Sequence, residues 1–149
     1  MNRNELFNKL EQSLMIIGKE MYQEQAGISG CSPAQNHVLM IIGMHEAIGV
    51  KELAENLRVT SGAATQHIDS LEKAGLLTRK LNPNNRREVV VETTKEGKNV
   101  FQKVRTAKAQ MLSRLFSELS DDELNTLVGL IEKVSRQYVK DGGKVHAKV

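Results

Sequence analysis

The chain has 149 residues, a net charge of +3, 3% aromatic residues, no tryptophan and one cysteine. Its length suits one domain with a real hydrophobic core, and 40% apolar with 26% charged residues excludes a disordered chain. So few aromatics exclude a base-stacking platform for single-stranded nucleic acid, and the lone Cys31 excludes an intrachain disulfide, which fits a reducing compartment.

Met1 to Glu11 carries Arg3, Glu5, Lys9 and Glu11 with no long apolar run, so no signal peptide is expected. The apolar stretches near Leu14–Ile17 and Val38–Met44 are too short to span a bilayer. The expectation is a cytoplasmic protein with no membrane partner. Residues 4 to 25 are expected as a long helix: Leu6, Leu10, Leu14 and Ile17 recur at helical spacing, with Phe7 and Met21 beside them. Ala26-Gly27-Ile28-Ser29-Gly30 breaks it. Ser32-Pro33-Ala34-Gln35 then starts a second helix, with Ser32 as cap, Pro33 in the first position and Gln35 closing a capping box. That helix should reach about Met44.

Gly49-Val50 is expected to be short and extended. Lys51–Leu57 is a short helix with Leu53, Ala54 and Leu57 facing inward, and Arg58-Val59-Thr60 is a turn. Thr60 or Ser61 caps a helix to about Ala74, which Gly75 ends. Leu76–Leu81 and Arg87–Thr93 are two strands of a hairpin around the turn Asn82-Pro83-Asn84-Asn85. Thr94 opens a long helix to about Leu119, with Val100, Val104, Ala107, Met111 and Leu115 on one face. Ser120-Asp121-Asp122-Glu123 is a second capping box opening a last helix with Leu124, Leu127, Val128, Ile131, Val134 and Tyr138. Asp141-Gly142-Gly143 ends it, and 144–149 is a loose tail.

The expected fold class is mainly α with a small β-hairpin wing (α+β): a winged helix-turn-helix. A short helix, a tight turn and a second helix form a helix-turn-helix, whose second helix enters the major groove while a hairpin reaches the backbone or minor groove. In the helix Ser61–Ala74, Ala64, Ile68 and Leu71 form the core stripe. The opposite face carries Gly62, Gln66, Asp69, Ser70 and Lys73, flanked by Ala63 and Thr65. Its small N-terminal residues allow close approach to DNA, and its free N–H groups and dipole attract phosphate. Gln66 suits a bidentate contact with adenine, and Thr65 a phosphate or a thymine methyl. From Lys73 to Arg87 there are five basic residues, Lys73, Arg79, Lys80, Arg86 and Arg87, and no acid. They could account for most of the net positive charge, with Arg86 and Arg87 at the hairpin tip. The candidate DNA-binding residues are therefore Ser61, Gly62, Ala63, Thr65, Gln66, Ser70, Lys73, Arg86 and Arg87.

Taken together, Ser32-Pro33-Ala34-Gln35, Val50-Lys51-Glu52-Leu53-Ala54-Glu55-Asn56-Leu57, Leu71-Glu72-Lys73-Ala74-Gly75-Leu76-Leu77-Thr78-Arg79, Asn85-Arg86-Arg87 and Thr94-Lys95-Glu96-Gly97 resemble the MarR (multiple antibiotic resistance regulator) family over about residues 32 to 100. The resemblance implies an obligate homodimer on a pseudo-palindromic double-stranded DNA operator. The winged lobe would span 32–94 of a single 1–149 domain, and 1–30 and 95–149 would supply intertwined N- and C-terminal dimerisation helices. It also implies a ligand-responsive repressor and no enzyme. The departures fall on the reading residues. Asn85 stands where the family often has Asp, and Gln66 and Ser70 where it often has Arg. Gly62-Ala63-Ala64 stands where a bulkier polar start is common. Asp69 matches a family acid that can brace a wing arginine, here Arg87 or Arg86.

The same resemblance places a small-molecule effector pocket between the dimer helices and the lobe, with Met15, Tyr22, His37, Met40, Met44 and Phe101 as lining candidates. Two alternatives stand beside a ligand-responsive repressor. One is a cysteine-based redox-sensing repressor using Cys31, whose thiol would need a lowered pKa. The other is a winged-helix protein-interaction module that does not bind DNA, against which the acid-free basic wing argues. No cofactor or metal is expected, because Cys31, His37 and His45 match no standard zinc spacing. No catalytic motif is recognisable.

Overall fold

The computed structural model describes residues 1–25 and 28–140. The Ala26-Gly27 break, the Asp141-Gly142-Gly143 stop, the tail and the side chain of Tyr138 lie outside what it describes. The elements in chain order are α1 (Arg3–Gln25), α2 (Pro33–Gly43), β1 (Ile48–Gly49), α3 (Val50–Leu57), α4 (Ser61–Lys73), β2 (Leu77–Asn82), β3 (Asn85–Thr93), α5 (Lys95–Leu115) and α6 (Asp121–Lys140). The chain divides into two compact units, one running from Met1 to Met111 and one beginning at Leu112.

Local chemistry sets most of these boundaries. Ser32 Oγ accepts from Gln35 N at 3.2 Å while Gln35 Oε1 accepts from Ser32 N at 2.8 Å, the reciprocal bonds of a capping box. Arg58 ends α3 in the left-handed region (φ 55°), the geometry that lets α4 start three residues later. Thr60, not Ser61, caps α4, accepting from Ala63 N at 3.2 Å. Gly75 adopts φ +75° after α4, where a side chain would be strained.

The core of the first unit is built from Val38, Leu39, Ile41 and Ile42 of α2, Ile48 of β1, Leu53 of α3, Ile68 and Leu71 of α4, Leu76, Leu77, Val91, and Val100, Phe101 and Val104 of α5. These fourteen apolar side chains, Ile68 and Leu71 of α4 among them, form one core cluster. Thr94 fastens α5 to the end of α4: its N–H donates to Leu76 O at 3.0 Å and its hydroxyl to Gly75 O at 2.6 Å. Gly97 makes that approach feasible, because a Cβ there would sit 1.9 Å from Leu76 O.

Several details differ from the expectation, among them β3, which begins at Asn85 instead of Arg87. The sheet has three strands in the order β1-β3-β2, all antiparallel, because Ile48 and Gly49 pair with Val91 and Val90. The extended segment is thus Ile48–Gly49, and Val50 already belongs to α3. α5 stops at Leu115 instead of about Leu119. There the backbone tightens to i−3 bonds, Ser117 N to Arg114 O and Leu119 N to Phe116 O, although the apolar spacing continues.

Candidate nucleic-acid interface

α4 buries Ala64, Ile68 and Leu71 and exposes Ser61, Gly62, Gln66, Asp69, Ser70 and Lys73, with Ala63 and Thr65 half-buried. Its two halves differ in what their polar groups do. In the N-terminal half, the Thr65 hydroxyl donates to Ser61 O at 2.8 Å, so its proton is engaged within the helix. Ser61 and Gln66 have no side-chain partner among the described residues, and a Cβ at Gly62 would meet only Thr60 Oγ1, at 3.9 Å. This half is small, open and equipped with one unengaged amide.

The C-terminal half is tied down. Arg79 of β2 forms ion pairs with both Asp69 and Glu72, and its backbone N–H donates to Glu72 Oε1 at 3.3 Å. The Asp69 hydrogen bond and the charges of both carboxylates raise the Arg79 pKa above its already high ordinary value, against a partial desolvation. Asp69 therefore braces neither Arg86 nor Arg87. β2 leaves Gly75 alongside α4, which brings Arg79 at the base of the wing to the carboxylates and carries the two tip arginines away from them. Ser70 is also engaged: its hydroxyl accepts from Gln35 Nε2 of α2 at 2.7 Å.

At the wing tip, Pro83 and Asn84 form the turn and Asn82 pairs with Asn85, while Leu81 pairs with Val89. Three residues of β3, Arg86, Arg87 and Glu88, therefore stand opposite no residue of β2. Such an irregularity twists the strand and re-aims side chains. The tip is fastened by local bonds: Asn82 Oδ1 accepts from Asn84 N at 3.0 Å and Asn85 Oδ1 from Arg87 N at 3.2 Å, while Asn82 Nδ2 donates to Glu88 Oε2 at 2.7 Å. Of the five cations between Lys73 and Arg87, Arg79 is neutralised by α4 and Lys80 pairs with Glu92. Lys73, Arg86 and Arg87 are exposed and form no ion pair among the described residues. The positive surface is narrower than the sequence count implied.

The candidate effector residues separate. Met44 and Phe101 line a groove of about 530 Å³ with Gly43, His45, Thr93 and Lys98. The Phe101 ring packs so closely on Gly43 that a Cβ there would sit 2.4 Å from it. Met40 is half-buried against the core, His37 is exposed on α2, and Met15 and Tyr22 are exposed on α1; none of these four lines the groove. Cys31 is half-buried against the core. The described residues contain no group of three or more His, Cys, Asp or Glu side chains able to hold a metal, and no helix long and apolar enough to cross a membrane.

Sequence reasoning missed the second duty of Gln35 and the pairing of Arg79. Gln35 carries a signal only for its capping box; Ser70 lies 35 residues away, and nothing local announces the bond.

The family model of the MarR family matches residues 31–89. The HTH-type transcriptional repressor MdtR of Bacillus subtilis (strain 168) is 28% identical over 136 residues, 91% of this chain and 83% of that protein. The uncharacterized HTH-type transcriptional regulator YkoM of the same organism is 31% identical over 104 residues, 70% of this chain and 68% of that protein. Among solved structures, a cysteine-to-serine mutant of MarR from E. coli complexed with operator DNA superimposes with a TM-score of 0.70 at 26% identity, covering 90% of this chain and 99% of that one.

Proposed function

This chain belongs to the MarR family of transcriptional regulators, and we propose that it acts in the cytoplasm as a homodimeric repressor that reads a pseudo-palindromic operator. The observation that carries this reading is the pairing of an open, unengaged N-terminal half of α4 with the two unpaired arginines of the wing tip. Ser61, Gly62 and Ala63 bring the backbone to the groove edge, Gln66 reads a base and Thr65 lies against the DNA beside it. Arg86 and Arg87 take phosphates or a narrow minor groove, and Lys73 adds a phosphate contact. Two copies would place their α4 helices in successive major grooves, roughly 34–36 Å apart. The lobe spanning 32–94 does the reading. The helices of 1–30 and 95–149 join the copies, since α1 exposes Leu6, Leu10 and Leu14 and α6 exposes Val128, Ile131 and Val134. The groove beside Phe101 and Met44 is where a small effector would enter and shift the lobes.

The test is selection of duplexes from a random-core pool, followed by titration against a scrambled duplex at several salt concentrations. The expected outcome is one enriched palindromic sequence bound with steep salt dependence. Arg87→Ala should lower the slope of log affinity against log salt by about one contact. No enrichment, with shallow and sequence-blind binding, overturns the reading.

A further inference from the structure

α4 buries a stripe of Ala64, Ile68 and Leu71. Such a stripe fixes the depth of a helix more firmly than its roll, because apolar contacts are non-directional. Roll needs directional bonds on the flanks. Among the described residues α4 has two such braces, both at its C-terminal half: Arg79 of the wing on Asp69 and Glu72, and Gln35 of α2 on Ser70.

We infer that Gln35 is a positioning residue for DNA readout: its amide oxygen closes the capping box of α2 while its amide nitrogen holds the Ser70 hydroxyl, fixing the roll of α4. The inference rests on the reading of α4 as the DNA-reading helix. The chemistry of the amide leaves little freedom. Its oxygen must face Ser32 N, a donor, at 2.8 Å, so the nitrogen is the end that faces Ser70 Oγ at 2.7 Å. Both ends of one side chain are thus engaged, and a side chain held at both ends transmits position. Asn36, the next residue of α2, is fully buried, and Ser29 Oγ lies 2.5 Å from its Oδ1, so the support on which Gln35 stands is itself anchored. Gln66, the unengaged reader, precedes Ser70 by four residues and lies on the same face of the helix. A rotation released at Ser70 therefore moves Gln66 directly. Ser70 itself is a brace in this scheme, its acceptor turned to α2.

The experiment uses the full-length chain and the duplex that the wild type selects, and reads the ratio of affinities for selected and scrambled duplexes. Ser70→Ala removes the bond and leaves the capping box; Gln35→Met removes both. Each should lower the ratio by about three- to tenfold, the net effect of one hydrogen bond, and the double variant should lower it no further than Ser70→Ala alone. Gln35→Glu keeps a capping-box acceptor and can take a bond from the Ser70 hydroxyl, so it should restore the ratio when Ser70 is present and not when it is Ala. Amide hydrogen exchange at Ser70 to Ala74, measured without DNA, should quicken in either single variant and no further in the double. Losses that multiply in the double variant, or an unchanged ratio in Ser70→Ala, overturn the inference. If the wild type selects no duplex, the DNA-reading role itself falls; the exchange data then decide only whether the brace exists.

Discussion

The winged lobe and the terminal helices of this chain use apolar residues in opposite ways. Around α4, Leu39, Ile42, Leu53, Ile68 and Leu71 are fully buried, and the lobe closes its own core. Along α1, Leu6, Phe7, Leu10 and Leu14 recur at helical spacing yet are each at least half exposed, and on α6 Val128, Ile131 and Val134 are also exposed. Leaving that much apolar surface in water is unfavourable by about 25 cal/mol per Å². A periodic apolar face left exposed is what a surface joining two copies would show, and it is the basis for proposing that the terminal helices form half of an interface.

The largest expected effect breaks the comparison at its open side. Leu10→Glu puts a charge in the centre of the exposed α1 face, where the isolated chain has nothing to lose. It should convert dimer to monomer in sedimentation equilibrium and weaken binding to a palindromic duplex by about 100-fold or more, because the second half-site contact becomes a separate event. An intact dimer would show that α1 is not the joining surface. The next effect tests the closed side. Gly97→Ala drives a methyl into Leu76 O, a backbone atom that cannot rotate away. It should cost roughly 3 kcal/mol, read as a lowered urea midpoint; a midpoint unchanged from wild type would mean that the joint between α4 and α5 is looser than it stands here.

A third variant separates reading from folding within the lobe. Gln66 is exposed and has no partner among the described residues. Gln66→Ala should therefore leave the urea midpoint in place while costing about 1–3 kcal/mol on the preferred duplex and relaxing specificity at one base position. A loss spread evenly over all sequences would move Gln66 from base reader to phosphate contact.

These regions also differ in how much of them the sequence disclosed. Caps and turns act within four residues, so Ser32 with Gln35, the Arg58–Thr60 turn, Gly75 and Ser120 with Glu123 were legible from residue type and spacing. The apolar periodicity of α1 and α6 was equally plain. What the sequence concealed depends on segments far apart in the chain: the pairing of Ile48 with Val91, the capture of Arg79 by Asp69 and Glu72, and the bond from Gln35 to Ser70. The sequence implies a hairpin with basic tip residues, but the strand Asn85–Thr93 begins two residues earlier than its turn signal suggests. A turn signal says where the chain reverses, not that three residues of one strand will go unpaired. Counting charges overstated the basic surface for the same reason, since ion pairs such as Lys80 with Glu92 form only once the strands meet.

The smallest expected effect concerns the start of α6, where a helix is held by its own cap whatever its apolar face meets. Glu123 Oε2 accepts from Ser120 N at 2.9 Å and from the Ser120 hydroxyl at 2.8 Å, and both bonds favour the ionised carboxylate, holding its pKa below the ordinary value. Asp121 and Asp122 share this first turn, where negative charge also complements the helix dipole. Because the folded pKa is the lower one, the contribution of Glu123 is complete above its unfolded pKa and fades as pH falls through the folded value. Glu123→Gln keeps an acceptor for Ser120 N–H and removes the charge. It should lower the urea midpoint slightly at pH 7 and match the wild type once both are measured well below the carboxylate range. A deficit of equal size at both pH values would mean that the cap works through its geometry and not through its charge.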